Sequence, residues 1–256
     1  GIRSHFDYDR VVWGLKQMLW GFFKKLVIAD RCAQIVNIAY ADPQNYNGWA
    51  LLLATYLFAF QIYCDFSGYT DIALGAARVM GFDLMVNFRT PYRSASISEF
   101  WSRWHISLSS WFRDYLYIPL GGNRVVKWRW YYNLFIVFLV SGLWHGANWT
   151  YIIWGSIHGF YLILAAIFVP YWKTFDLATG LSKWPRIKRW ANVLITFHLV
   201  LLAWVFFRAN NVHDAFLVCE RIFNTPWHFA DLFKLNKAVP TSLFEVTIAL
   251  TAVFLL

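Results

Sequence analysis

Long apolar runs separated by short polar stretches dominate this chain, and they predict helices that cross a membrane. A span needs about 20 predominantly apolar residues, or fewer where protein buries the segment. The candidate spans are Gly48–Cys64, Asn133–Trp144, Trp149–Val169 and Trp190–Phe207. The pattern therefore predicts an all-α fold, a polytopic integral membrane bundle of helices.

Other segments have a mixed polarity that favours amphipathic helices. Val11–Ala29 contains three lysines, so it is either an interfacial helix or a span whose lysines snorkel to the surface. Glu99–Leu116 gathers its apolar residues on an arc of about 120°, with His105 at the margin of that arc. Asn210–Pro240 is predicted to be an extramembrane loop or an amphipathic surface piece.

The stretch Asp65–Gly75 is too polar to face lipid and too rich in small residues for a surface loop. Non-helical backbone at membrane depth persists only where protein or a cavity surrounds it. We therefore predict a buried re-entrant or short-helix element. Arginines are the expected partners of Asp65 and Asp71, and a proton relay is the alternative. The candidate arginines are Arg78, Arg89 and Arg103.

Composition supports a membrane protein. The 256 residues are 59% hydrophobic and 14% charged, against roughly 25% charged in soluble domains, so lipid must cover part of the surface. The net charge of +9 falls in short basic clusters between apolar runs, which favours anionic headgroups over nucleic acid. The chain begins at Gly1 and ends within the apolar run Phe244–Leu256. We expect one membrane domain over residues 1–256, with spans missing at both ends.

Histidine provides the candidate chemistry. His145 follows a stretch without charged residues, and an ionisable group in such a run is a functional candidate. Either it is hydrogen-bonded across a helix interface, or it is a general base in a water-accessible tunnel, since a neutral imidazole can take up a proton. The same alternatives hold for His105, whereas His158 is expected to pack. Asn148 would share a face with His145 if that helix continued.

Several other kinds of site are not indicated. The histidines lack the spacing of a metal-binding helix and no carboxylate lies beside His145, so no metal is expected. The sequence has no serine nucleophile elbow and no phosphate-binding glycine loop. Two Gly-x-x-x-Gly pairs, Gly142 with Gly146 and Gly155 with Gly159, predict close helix packing.

Four ordered strings resemble the membrane-bound O-acyltransferase family, and within it the bacterial branch of the alginate O-acetyltransferase type. The strings are Tyr63–Asp71, Glu99–Ser109, Arg113–Arg124 and Trp144–Ala147. The resemblance implies a bundle of re-entrant and amphipathic helices around a central tunnel in the bacterial inner membrane. His145 matches the family's catalytic histidine, and His105 matches a second signature position.

The resemblance also implies the substrates. No bound cofactor is expected, and the co-substrate is an acyl thioester, acetyl-CoA or an acyl carrier. His105 or Asn148 would donate to the oxyanion, or His105 would position the acceptor. The expected substrate-binding residues are Asn148, Arg103, Ser109 and Asp114.

The expected function is transfer of an acetyl group to a hydroxyl of an exported polysaccharide, or to a periplasmic partner protein, with lipids around the helices. Peptidoglycan O-acylation and teichoic acid D-alanylation are the alternatives within the family. A proton-coupled transporter and a non-catalytic scaffold are the alternatives of another class.

Overall fold

The computed structural model describes residues 6–224, apart from the side chains of Pro170, Lys173, Phe175, Asp176, Leu177 and Leu181. The helices are α1 (Tyr8–Phe22), α2 (Asp30–Ala41), α3 (Gly48–Val79), α4 (Ile97–Arg103), α5 (Ile106–Phe112), α6 (Lys127–His145), α7 (Trp149–Thr179), α8 (Pro185–Arg208) and α9 (Val212–Asn224). Two π-helical segments, Phe23–Ala29 and Arg113–Tyr117, join α1 to α2 and extend α5. Within the described residues all regular elements are helical, which confirms the predicted fold class.

Three of the described helices are long and apolar enough to cross a membrane. They are α3, the Trp149–Val169 part of α7, and α8. Three predicted spans are thereby confirmed, although α3 extends beyond Cys64 and α7 continues to Thr179. The fourth, Asn133–Trp144, lies within α6, which is not among the three. Of the surface piece predicted after residue 210, α9 is described; residues 225–256, with the run Phe244–Leu256, lie outside the described part.

The described chain forms two compact units. The first unit comprises residues 6–86 and 213–224, and the second comprises Asn87–Val212. The expected division into one domain stays a prediction.

Glycines bring α1 and α3 of the first unit into backbone contact. A Cβ on Gly21 would lie 2.6 Å from the carbonyl oxygen of Gly68, and a Cβ on Gly14 would lie 2.7 Å from that of Gly75. Both are closer than any side chain allows. Since the earlier glycine of α1 meets the later glycine of α3, the two helices run antiparallel.

Ion pairs neutralise the aspartates of α3. The buried ammonium of Lys24 lies 2.5 Å from Asp71 Oδ2 and donates to Ser67 Oγ at 2.9 Å. Asp65 pairs with Lys25, which is more exposed. The prediction of a re-entrant element at residues 65–75 is therefore wrong, because a neutralised polar stretch can remain helical within α3. The prediction of arginine partners is wrong as well, because the lysines occupy that place.

Small residues also let α6 and α7 of the second unit pack closely. A Cβ on Gly155 would collide with the carbonyl group of Phe138, and a Cβ on Gly142 with that of Tyr151. Gly159 faces Phe135, whose Cα would be 3.2 Å from an added Cβ. The predicted close approach is confirmed for these three glycines.

The segment Glu99–Leu116 is broken in two. Helix α4 ends at Arg103, and α5 begins at Ile106. Between them His105 adopts the left-handed conformation, with φ 44° and ψ 56°, which a right-handed helix cannot accommodate. The prediction of one continuous helix is therefore wrong, and the break lies at a candidate catalytic residue.

Candidate active site

A cavity of about 290 Å³ lies within the second unit, and both His105 and His145 line it. Its wall is largely apolar, with Trp101 and Phe138 among the aromatic members. The polar lining residues are Ser98, His105, Ser109, Arg113, Tyr117, Ser141 and His145. No carboxylate of the described chain lines this cavity, so two imidazoles supply its proton-accepting groups.

His145 is the last residue of α6, and aromatic rings surround its imidazole. The ring of Trp154 meets it edge-on, with centroids 5.0 Å apart, and that of Phe207 lies at 5.2 Å. Within residues 6–224 no group hydrogen-bonds to the His145 ring, and its nitrogens are not among the buried atoms that lack a partner. The aromatic rings thus fix the ring plane while a nitrogen lone pair stays available.

Gly146 ends the helix immediately after His145. Its φ of 157° is rare for residues with a side chain, and a Cβ there would lie 2.8 Å from the Tyr151 ring. The chain then turns to Asn148, whose side chain accepts from Thr150 N at 3.1 Å and caps α7. The glycine therefore determines where α6 stops and how His145 is presented.

His105 lies at the break between α4 and α5. Its imidazole faces the ring of Trp144, with centroids 6.5 Å apart, and its Nδ1 atom is buried. Because its backbone is left-handed, His105 does not continue either helix, and its side chain does not follow the helical path of α4 or α5. The second candidate histidine reaches the cavity because the helix is interrupted.

Burial determines the charge state of both histidines, which lie outside the three candidate spans. It lowers the pKa of His105 to about 4, although a backbone hydrogen bond opposes this. Burial, together with a smaller contribution from the nearby His105, lowers the pKa of His145 to about 4 as well. Both imidazoles are therefore neutral at pH 7 and able to accept a proton.

The four predicted substrate-binding residues occupy different surroundings. Ser109 lines the cavity and donates to the Trp104 carbonyl at 3.2 Å. Arg103 pairs with Glu99 at 2.7 Å, and Asp114 pairs with Arg113 at 2.8 Å. Neither Arg103 nor Asp114 is among the lining residues.

Asn148 does not share a helix face with His145, because α6 ends at His145. Its Nδ2 atom donates to the Asn210 carbonyl at 3.2 Å, and it does not line the cavity. Substrate binding by Arg103, Ser109, Asp114 and Asn148 stays a prediction.

Comparison with known proteins gives the family. The model of MBOAT, the membrane-bound O-acyltransferase family, matches residues 4–209, most of the chain. The chain belongs to the membrane-bound O-acyltransferase family. The resemblance seen in the four sequence strings is thereby confirmed, and the protein is a membrane protein with at least the three candidate spans described above.

Relatives of this MBOAT chain have names that describe acyl transfer. It is 43% identical to a probable alginate O-acetylase, AlgI, of Pseudomonas aeruginosa, over 91% of this chain and 43% of that protein. It is 41% identical to a peptidoglycan O-acetyltransferase of Helicobacter pylori, over 85% of this chain and 40% of the relative. It is 32% identical to a teichoic acid D-alanyltransferase of Bacillus subtilis, over 80% of this chain and 53% of that protein. The chain spans about half the length of these relatives or less.

Four polar lining residues of this MBOAT chain were missed by the sequence analysis: Ser98, Arg113, Tyr117 and Ser141. Signals existed for three of them. Ser141 precedes His145 by one helical turn, and Ser109, Arg113 and Tyr117 recur at every fourth residue. Ser98 carries no such signal, because it lies before the predicted amphipathic helix Glu99–Leu116.

His158 packs as expected. It is fully buried on α7, and Trp101 Nε1 donates to its Nδ1 at 3.3 Å. Because Trp101 lines the cavity while His158 does not, the latter supports the wall of this MBOAT site from behind.

Proposed function

We propose that this protein transfers an acyl group from a thioester to a hydroxyl of an exported polysaccharide, and that the acyl group is acetyl. The observation that carries the proposal is the shared cavity of His105 and His145. Family membership and the names of the relatives support acyl transfer as the type of reaction.

The reaction needs one proton acceptor. The hydroxyl oxygen of the acceptor attacks the thioester carbonyl carbon, and its proton passes to the neutral imidazole of His145. A carbon–oxygen bond forms, the carbon–sulfur bond breaks, and the proton then moves to the departing thiolate. General base catalysis of this kind contributes typically about 10²–10⁴-fold.

The oxyanion that forms during the attack needs a hydrogen-bond donor. A neutral imidazole of His105 has one N–H group, and it faces the same cavity as His145. In a largely apolar site such a donor acts more strongly than in water. We assign His105 to this role, with positioning of the acceptor as the alternative role.

The location follows from the substrates. A thioester donor, acetyl-CoA or an acyl carrier, belongs to the cytoplasm, whereas an exported polysaccharide lies on the other side of the inner membrane. We propose that the protein resides in the bacterial inner membrane and passes the acyl group across it. The receiver is the polysaccharide itself or a periplasmic partner that carries the group onward.

Replacement of the proposed base tests the mechanism. His145→Gln in the full-length protein removes the proton acceptor while keeping a planar polar side chain. We expect acyl transfer, measured in membrane vesicles with a labelled thioester, to fall by about 10²–10⁴-fold. The amount of folded protein should stay the same.

The matched control is His198→Gln, because His198 is exposed on α8 and does not line the cavity. It should keep the wild-type rate. Wild-type transfer by the His145 variant would rule out the proposed base.

Mass spectrometry of surface glycans identifies the acceptor. Cells with and without the intact gene are compared for ester groups on each polymer. An acetyl ester missing from an exported polysaccharide supports the proposal. An ester missing from peptidoglycan, the acceptor named for the Helicobacter pylori relative, would replace the proposed acceptor while keeping the reaction type.

A further inference from the structure

A short segment of the second unit crosses the break between α4 and α5. Its residue Asn87 accepts a hydrogen bond from Ile106 N through its carbonyl oxygen at 3.0 Å. Two residues further on, Arg89 N donates to the Arg103 carbonyl at 3.0 Å. Backbone groups on both sides of the break thus bond to the same segment, and His105 lies between them.

The side chain of Asn87 adds two more bonds. Its Oδ1 atom accepts from Ser107 N at 3.0 Å and from Ser107 Oγ at 2.6 Å. The bond from Ser107 N satisfies a backbone N–H group in the first turn of α5. Such a group is usually capped by the side chain of the residue just before the helix. The His105 side chain makes no such cap bond. The amide of Asn87, eighteen positions earlier, replaces the missing cap.

Because Asn87 supplies this cap, the His105 imidazole takes no part in capping α5. A residue that caps a helix turns its side chain back onto the backbone, and a residue in the left-handed conformation needs external support unless it is glycine. Asn87 supplies both the cap and the support through three hydrogen bonds. The imidazole is then available to line the cavity.

We propose that Asn87 is a positioning residue for acyl transfer, which holds the backbone at His105 so that its imidazole faces the cavity beside His145. The functional part of this inference rests on the proposed acyl transfer. The structural part, the orientation of His105, can be measured without activity.

The first test compares variants of Asn87 in the full-length protein. Asn87→Ala removes the Oδ1 acceptor, and displacement of a reacting group by about 1 Å lowers a rate by about 10²-fold. We expect kcat to fall by about that factor, with KM for the thioester nearly unchanged. Asn87→Asp keeps an oxygen that accepts both Ser107 bonds, so it should restore most of the rate.

A double variant separates positioning from general destabilisation. In a His105→Ala background, Asn87→Ala should cause no further loss of transfer, because the group that it positions is already absent. Independent losses that multiply in the double variant would overturn the proposal. So would an Asn87→Ala protein with wild-type kcat.

The second test needs no catalysis. Diethyl pyrocarbonate modifies neutral imidazoles, and peptide mass spectrometry reports the rate at each histidine. Relative to His198 in the same digest, His105 should react severalfold faster in Asn87→Ala and at the wild-type rate in Asn87→Asp. An unchanged His105 rate in Asn87→Ala refutes the positioning role. Altered reactivity without any acyl transfer by the wild type refutes the proposed function instead.

Discussion

In the first unit the buried ammonium of Lys24 lies against Asp71, whereas in the second unit the imidazoles of His105 and His145 face a cavity. Both units place ionisable groups among apolar helices. In the first, Lys24 and Asp71 neutralise each other at contact distance, and the helices meet at glycines. In the second, the two imidazoles are neutral, because burial lowers the pKa of each to about 4.

This difference indicates which buried polar groups are available for chemistry. In a buried ion pair each group stabilises the charged form of the other, so neither readily gains or loses a proton. Breaking the pair leaves an uncompensated charge. A neutral base on a cavity wall can change its protonation without unfolding its surroundings. We therefore expect substitutions in the first unit to change stability and substitutions around the cavity to change transfer. Single variants of the full-length protein test that division.

Asp71→Asn should give the largest loss of stability. It leaves the buried Lys24 ammonium without the carboxylate that neutralises it, and loss of one partner of a buried pair typically lowers the free energy of unfolding by about 3–5 kcal/mol. Denaturant unfolding of the purified protein in detergent measures this. The double variant Lys24→Met, Asp71→Leu should recover most of the loss. A stable Asp71→Asn protein with impaired transfer would contradict the comparison.

Gly146→Ala should affect both stability and transfer. Its φ of 157° and the Tyr151 ring at 2.8 Å from the added Cβ strain the end of α6, at a cost of about 1–3 kcal/mol. The displaced His145 should lower the transfer rate by roughly 10-fold or more. Denaturant unfolding measures the loss of stability, and acyl transfer in membrane vesicles measures the loss of rate.

Gly180→Ala is the matched control, since Gly180 has φ 68° but nothing within 4 Å of an added Cβ. It should lose some stability and no transfer. Equal transfer losses in both glycine variants would show that strain alone is responsible.

Asp65→Asn should change stability little. Its partner Lys25 and the carboxylate itself are 41% and 47% exposed, and Lys25 retains Asp30 at 3.3 Å. Exposed pairs contribute about 0–1 kcal/mol. The free energy of unfolding should therefore fall less than in Asp71→Asn in the same assay. Since both variants remove one negative charge, the difference between them measures the effect of burial. A loss as large as that of Asp71→Asn would show that burial is not the deciding factor.

Moderate acidification should have the smallest effect. Because burial lowers the pKa of His145 from 6.5 to about 4, the base stays neutral as the pH falls through 6.5 and is protonated only near 4. The acid limb of kcat/KM, which reports the free protein, should therefore lie well below pH 6.5. A midpoint at 6.5 would mean that the imidazole is solvated like a free histidine.

Much of the fold was predictable from local pattern. The apolar run Trp149–Val169 is a helix long enough to span a membrane, and Gly142 and Gly155 mark a close helix contact, as predicted. Such features depend on residues within a few turns of one another, so a single sequence contains them. The family was likewise predictable, because its four strings are short and ordered.

The exceptions all depend on distant partners. The stretch after Cys64 was predicted as a re-entrant or short-helix element because it is too polar to face lipid, and the lysines of another helical segment make it compatible with the long helix α3. Periodicity predicted one helix through His105, and the break there is held by Asn87, which carries no local signal of that role.

The order of residues along the chain was enough to predict that apolar helices dominate this protein and that His105 and His145 are its candidate catalytic groups. Helix packing was needed to show that the two imidazoles line one cavity and which lysine neutralises which aspartate. Helical periodicity and turn chemistry act between neighbours along the chain. The contact of groups forty residues apart depends on how whole helices pack.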